Sequence, residues 1–424
     1  MRRPRVLIVC EHASARFGGE AALPLHYFRV LRNRGYLVWL VTHARTREEL
    51  SLLFPGDGHI LYVEDTTFHR ALWRVTRRLP AQIAYFTTGF LSRVSVQLAQ
   101  RALVRRLVSE YGIDVIHQPM PVSPREPSLM YGFGVPVIIG PMNGGMDYPP
   151  SFRRLRGPVE RLLLIAARWS SSTLNYAMPG KRHAKFLLVA NQRTKAALPA
   201  GVCSSVVEIV ENGVDVSLWK PAQNYGGRTD GSGGPTIFVF VGRLVEWKSV
   251  DVLLHAFKRA AHSSAMVLMV IGDGPERSRL EALSAELGIK GSSPDDPRGV
   301  RFTGWLSQQE CARRMQEADC LLLPSLLECG GAVVLEAMSL GKPVIATAWG
   351  GPADYIDEDC GILVAPTDRD SLIRGFADAM LLLAASPPSR QRLGRNGYAK
   401  VRQQYDWEVK LDRIVELYEQ ARSP

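Results

Sequence analysis

The sequence predicts an α/β protein of two domains, each built on a parallel sheet, and three features carry that expectation. At 424 residues, 46% of them hydrophobic, the chain exceeds one compact core and suits two domains that each bury a sheet. Short apolar runs alternate with helical patterns from the N-terminus onward, which is the rhythm of βαβ units. The long stretch 220–235, KPAQNYGGRTDGSGGP, combines low hydrophobicity with glycine, serine and proline. It reads as a linker at 221–235 between domains at 1–220 and 236–404.

The elements follow in order. The opening MRRPR is charged, but the apolar run after it is short and breaks at Glu11-His12, so 5–9 reads as a first strand and not a signal peptide. Further strand-like runs at 37–42, 115–117, 135–140 and 186–190 each precede glycine-, proline- or polar-rich turns. After the linker, the apolar run 237–241 leads into Gly242-Arg243 and then Lys248. Another ends at Ile271-Gly272-Asp273-Gly274-Pro275, and a third runs into Phe302-Thr303-Gly304-Trp305. A buried strand is expected at 320–324, and a helix at 333–340 with Gly341 as its C-cap. The pattern at 407–420 is an amphipathic helix. No apolar run reaches the roughly 20 residues of a membrane span.

Chemistry concentrates in 321–347, LLLPSLLECGGAVVLEAMSLGKPVIAT, where two carboxylates flank the glycine-rich start of a helix. Glu328 falls in the strand-to-helix turn. Gly330 and Gly331 allow a ligand to approach the backbone, and the free N–H groups of the first turn, at Ala332 and Val333, favour a phosphate. Glu336 lies five residues beyond Gly331, about 7 Å along the axis, roughly a phosphate-to-ribose distance. Alone, this pattern reads more readily as an ordinary strand-to-helix turn with two surface glutamates. The other strand ends add to it: Arg243 and Lys248 can neutralise a pyrophosphate, and the turns at Gly274 and Gly304 can admit a flat base.

In this order along the chain, the motifs resemble those of retaining GT-B glycosyltransferases of family four. The resemblance takes in Gly18-Gly19-Glu20, Asn212-Gly213-Val214-Asp215, Gly242-Arg243 with Lys248, Gly272-Asp273-Gly274-Pro275, Phe302-Thr303-Gly304, and the two glutamates with seven residues between them. It implies two Rossmann-like doubly wound parallel-sheet domains facing across a cleft, the first completed by a C-terminal helix at about 405–424. It also implies transfer of a sugar from a nucleotide-sugar donor to a glycan or lipid-linked acceptor with retention of configuration, in cell-surface polysaccharide or glycolipid synthesis. By the same resemblance Arg243 and Lys248 hold the donor diphosphate, Glu328 the sugar hydroxyls, Glu336 the ribose, and Gly18 and Gly19 a phosphate from the opposite domain.

The chain departs from the family pattern at three places. Gly330 stands where an aromatic residue is usual, Pro119 where many members carry a histidine, and Asp354 where a glutamate is customary. His117, two positions before Pro119, either substitutes at the sugar as a catalytic residue or is structural. Two other classes stay open: a nucleotide-sugar epimerase or sugar phosphorylase of the same fold, and a non-catalytic donor-binding subunit of a glycan assembly complex.

Charge divides at the linker. Residues 1–220 hold 29 Lys+Arg against 15 Asp+Glu, and the remainder 23 against 26. Arginines cluster with apolar residues at Arg70, Arg74, Arg77 and Arg78, at Arg101, Arg105 and Arg106, and at Arg153, Arg154, Arg156 and Arg161. Such mixtures suit an anionic membrane surface, or else are solvated helix faces over core leucines. Nucleic acid is not expected, since no binding module accompanies the charge. The six cysteines form no CxxC pair or metal spacing, which fits a reducing cytoplasm, with peripheral contact to the membrane's inner face. Asp357-Glu358-Asp359 and Asp368-Arg369-Asp370 are acidic, but neither follows a donor-side strand, and Asp368 suits a helix N-cap. No cofactor and no essential metal are expected, the nucleotide-sugar being a substrate.

Overall fold

In the computed structural model, residues 2–221, 234–291 and 299–423 are described, the side chains at 81, 82, 159 and 163 apart. Of the expected linker, residues 222–233 lie outside the described residues. The chain forms two compact units, one of Met1–Gly145, Arg156–Glu211 and Lys410–Pro424, the other of Met146–Leu155 and Asn212–Val409. Each unit carries a wholly parallel sheet with helical crossovers, so the chain has the two Rossmann-like sheets of a GT-B protein.

The first sheet comprises β1 (Val6–Val9), β2 (Val38–His43), β3 (Ile60–Val63), β4 (Val115–Gln118), β5 (Val137–Met142), β6 (Phe186–Val189) and β7 (Val206–Glu208), in the order β3-β2-β1-β4-β5-β6-β7. Its central strands are buried along their whole length, as a sheet covered by helices on both faces requires. Leu7, Val9, Val41, Ile116, Ile139 and Leu187 form the core of one layer. The second sheet comprises β8 (Thr236–Val241), β9 (Met266–Ile271), β10 (Gly299–Gly304), β11 (Cys320–Leu323), β12 (Val344–Thr347) and β13 (Gly361–Val364), in the order β10-β9-β8-β11-β12-β13.

Local signals read from sequence recur in three dimensions. The helix after β11 runs Ala332–Ser339, and Gly341 just beyond it takes φ 69°, a left-handed stop. Asp368 caps Arg369–Ala385, its Oδ1 accepting the Ser371 N–H at 2.7 Å.

The terminal helix Trp407–Arg422 contributes Lys410 onward to the first unit. Its Tyr418 is fully buried, with its hydroxyl 2.7 Å from His117 Nδ1. His117 Nε2 lies 2.7 Å from the Gly140 carbonyl. A carbonyl can only accept, so Nε2 carries the proton and Nδ1 accepts from the tyrosine. Burial pushes the His117 pKa down to about 4 from 6.5, so the folded unit holds a neutral ring while the unfolded chain binds a proton below 6.5. Stability from this residue is therefore complete above pH 6.5 and is lost as pH falls toward 4, by about 3 kcal/mol at most. Urea midpoints measured between pH 7.5 and 4.5 should fall less steeply in His117→Asn than in wild type. Tyr418→Phe, which strands Nδ1, should cost about 1–3 kcal/mol at neutral pH.

Candidate functional site

In the second sheet, β9 and β10 lie on one side of β8 and β11, β12 and β13 on the other. Crossovers on either side of such a reversal leave to opposite faces, so the crevice for a ligand opens at the carboxyl ends of β8 and β11. Arg243 follows β8 directly and is exposed, and among the described residues it makes no ion pair. Lys248 sits at the end of the turn Glu246–Lys248, and Ser249 beyond it is forced to φ 50°, ψ 40°, the one positive-φ residue other than glycine among those described. Strain of this kind persists where surrounding structure holds it, and here it turns the chain between Lys248 and the helix Val250–Ala261.

From the neighbouring strand end comes Glu328. Lys248 Nζ donates to its Oε2, in an ion pair whose side chains are only 16% and 14% exposed. Backbone contacts fix the pair: Leu326 N–H donates to Trp247 O at 2.8 Å, and Gly351 N–H donates to Glu328 O at 2.8 Å. Gly331 then starts Ala332–Ser339 in a left-handed conformation, φ 81°, with no side chain capping the helix. The N–H groups of that first turn are thus left for a ligand anion. Glu336 lies one turn further on, partly exposed, and its carboxyl makes no hydrogen bond or ion pair among the described residues. Burial pushes its pKa up to about 7 from 4.5.

The loops after β8, β9 and β10 are laced together. Gly272 N–H donates to Gly304 O at 2.9 Å and Leu244 N–H to Asp273 O at 2.9 Å. A β-carbon on Gly272 would stand 1.9 Å from Gly242 O, and one on Gly274 2.3 Å from Leu244 O. The backbone beside them leaves no room for a side chain at either glycine. At Gly304 the corresponding space is taken by the Arg277 guanidinium, which pairs with Asp273 at 2.9 Å and Glu281 at 2.8 Å. Gly330 is buried where an aromatic wall is usual, and its carbonyl lies against Gly351. Asp354 lies exposed in Gly351–Tyr355.

The first unit reverses strand order between β1 and β4, and a pocket of about 530 Å³ opens there. Glu11, His12, Trp73, Tyr85, Arg93 and Glu126 are among its lining residues, and Arg93 pairs with Glu126 at 2.5 Å. Burial raises the Glu11 carboxyl, but His12, Arg93 and Arg45 outweigh it and hold it below its usual range. The Glu20 carboxyl rises, chiefly by burial and further by Glu126 and Glu211. Gly18 and Gly19 face open space at the start of Gly19–Asn33, with Glu20 in the first turn. That carboxylate opposes part of the helix's attraction for a phosphate.

The structure unites Arg243, Lys248, Glu328, Gly330, Gly331, Ala332, Val333 and Glu336 at one end of the second sheet. It does not bring His117 to a site. Its ring is fully buried and both nitrogens are engaged within the unit, so the catalytic expectation gives way to a structural role. Sequence reasoning passes over Ser249, the Trp247–Leu326 clamp and the Arg93–Glu126 pair, since none carries a local signature.

Residues 228–400 match the family model described as glycosyl transferases group 1. D-inositol 3-phosphate glycosyltransferase of Nocardioides sp. is 32% identical over 234 residues, covering 52% of this chain and 49% of the relative. A lipopolysaccharide core biosynthesis glycosyltransferase, LpsD, of Rhizobium meliloti is 30% identical over 185 residues, 44% of this chain and 50% of the relative. The chain spans about half the length of the curated relatives it matches. Among solved structures, sucrose-phosphate synthase of Thermosynechococcus elongatus superimposes with TM-score 0.66 at 21% identity over 99% of both chains. Anabaena HepE in complex with UDP-glucose does so with TM-score 0.62 at 15% identity over 98% of this chain and 99% of that one. Those two likenesses are of fold. The likeness to glycosyl transferases group 1 thus lies in residues 228–400, the stretch that contains Arg243, Lys248, Glu328 and Glu336.

Proposed function

We propose that the chain is a glycosyltransferase that moves a sugar from a nucleotide-sugar donor to a glycan or lipid-linked acceptor with retention of configuration. The setting we propose is cell-surface polysaccharide or glycolipid synthesis on the cytoplasmic side of the membrane. The observation that carries this reading is the Lys248–Glu328 pair at the switch point, beside the exposed Arg243 and the uncapped helix start at Gly331. Relatives named for D-inositol 3-phosphate and lipopolysaccharide core glycosyltransfer support it, as does a structural neighbour solved with UDP-glucose.

A diphosphate entering this corner meets Arg243, Lys248 and the N–H groups of Ala332 and Val333, which stabilise the charge that grows as it departs. Lys248 is already paired, so phosphate oxygens compete with Glu328 for its ammonium. As the contact loosens, the Glu328 carboxylate turns to the hydroxyls of the sugar. Retention then follows from attack on the face the diphosphate leaves: the acceptor oxygen bonds to the anomeric carbon, the bond to phosphate breaks, and the acceptor proton passes to the departing phosphate oxygen. Positive potential at the leaving group comes from side chains and backbone, with no metal step required. A screen of nucleotide-sugars for binding and slow hydrolysis tests the whole reading; no binding of any nucleotide diphosphate or nucleotide-sugar would refute it.

Arg243→Ala should weaken a nucleoside diphosphate about tenfold or more while leaving nucleoside affinity nearly unchanged, by loss of a charge-assisted contact. Calorimetry with both ligands decides, and equal losses remove the diphosphate assignment. Glu328→Gln frees Lys248 and removes a nearby negative charge. It should therefore bind the diphosphate more tightly than wild type yet turn over far more slowly, a split that steady-state kinetics and calorimetry read separately.

Glu336 gives a pH signature. Its carboxylate, the better acceptor for ribose hydroxyls, forms as pH rises through about 7. Nucleotide affinity should rise over that interval in wild type and stay flat in Glu336→Gln. A slope that survives the substitution would place the titrating group elsewhere.

A further inference from the structure

We propose that the helix Pro158–Ala177 is a membrane-docking element that lies in the interface of an anionic lipid leaflet. This 20-residue helix belongs to the first unit. Its apolar side chains Leu162, Ile165, Trp169 and Tyr176 are 68%, 51%, 83% and 73% exposed. On the inward side Ser171 and Asn175 are buried, and both donate to the Arg125 carbonyl, at 3.0 and 2.9 Å, alongside half-buried Leu164, Ala167 and Leu174. At about 100° per residue the four apolar side chains fall within about 60° of arc, with Ser171 about 150° and Asn175 about 110° from its centre. A stripe this narrow and this exposed is the apolar face of an interfacial helix.

Charge selects the occupant. Arg161 and Arg168 are exposed and border the stripe along one edge, and Arg182 stacks over Tyr176 at 5.0 Å. The only acidic residue of the helix, Glu160, pairs with Arg156 at 3.2 Å. A second copy docked by the same face would set these arginines, and a strongly basic domain, against their own kind. Lipid phosphates accept them, while tryptophan and tyrosine suit the headgroup level.

The geometry also ties this face to the pocket at β1 and β4. Arg125, whose carbonyl anchors the helix, lies in the segment Ser123–Glu126 that lines the pocket. A helix seated on lipid would hold that pocket close to the leaflet. The proposal is independent of the donor-side reading, because nothing in it involves the second unit.

The full chain should cosediment with phosphatidylglycerol–phosphatidylcholine vesicles at low salt, less at high salt, and not with phosphatidylcholine alone. Leu162→Ser/Ile165→Ser/Trp169→Ser should lose about tenfold or more of that binding, in line with the weight of buried apolar area in interfacial helices. Leu382→Ser, an equally exposed change in the second unit, should lose none. Nucleoside diphosphate affinity, or circular dichroism if no nucleotide binds, verifies the fold. If the triple variant fails to fold, Arg161→Glu/Arg168→Glu takes its place and must abolish the preference for anionic vesicles. Wild type remaining in the supernatant with anionic vesicles at low salt overturns the proposal, as does unaltered binding by a folded variant. So does a dimer seen by light scattering that the triple substitution dissolves while vesicle binding is unaffected.

Discussion

A parallel strand can be joined to its neighbour only by a connection that returns the length of the sheet, and the rest of this structure depends on that constraint. It gathers every strand exit at one end of each sheet and leaves a crevice where strand order reverses. In the second unit those exits belong to β8 and β11, which is why Lys248 and Glu328 meet although they are 80 residues apart. In the first unit the exits of β1 and β4 bring Glu11 and His12 to Gln118 and Met120 around a pocket. Two dissimilar sequences thus place polar groups at the same topological point.

Electrostatics then distinguishes the two crevices. At the donor-side corner Arg243 and Lys248 face one paired carboxylate, and Glu336 is kept partly protonated by burial near neutral pH. The corner therefore has an excess of positive charge before any diphosphate arrives. The other pocket sets Glu11, Glu20 and Glu126 against Arg45, Arg93 and Arg125, together with Trp73 and Tyr85.

What the sequence reveals follows burial in most strands. Those visible as apolar runs include β1, β2, β4, β5, β6, β8, β9 and β11, interior strands where hydrophobic side chains are needed at nearly every position. β3, β7 and β13 are sheet edges whose half-covered residues dilute the signal; β10 is an edge that its Phe302-Thr303-Gly304 motif reveals, and β12, at four residues, is buried but does not stand out as a run of its own. The donor motifs are legible because strand, glycine turn, cation and carboxylate follow in a fixed local order. His117 is not, because its role is set by Tyr418, 301 residues away, and by the Gly140 carbonyl. Gly272 and Gly274 are legible as special positions, but the carbonyls that exclude a side chain there come from the β8 exit and carry no local signature.

The arginine-rich first unit shows the same limit in its charge. Clusters alike in sequence separate into different roles once partners are placed. Arg101 is half-buried, donating to the Leu129 and Tyr131 carbonyls and stacked over Tyr131 at 4.4 Å, which ties its guanidinium to the unit. Arg77 stacks over Trp73 at 4.9 Å and Arg156 pairs with Glu160. Periodicity alone would also turn Leu162, Ile165 and Trp169 inward, because an apolar stripe on a helix ordinarily seeks the core. Here Ser171 and Asn175 donate to the Arg125 carbonyl and share the inward side with half-buried Leu164, Ala167 and Leu174, while Leu162, Ile165 and Trp169 are left outward.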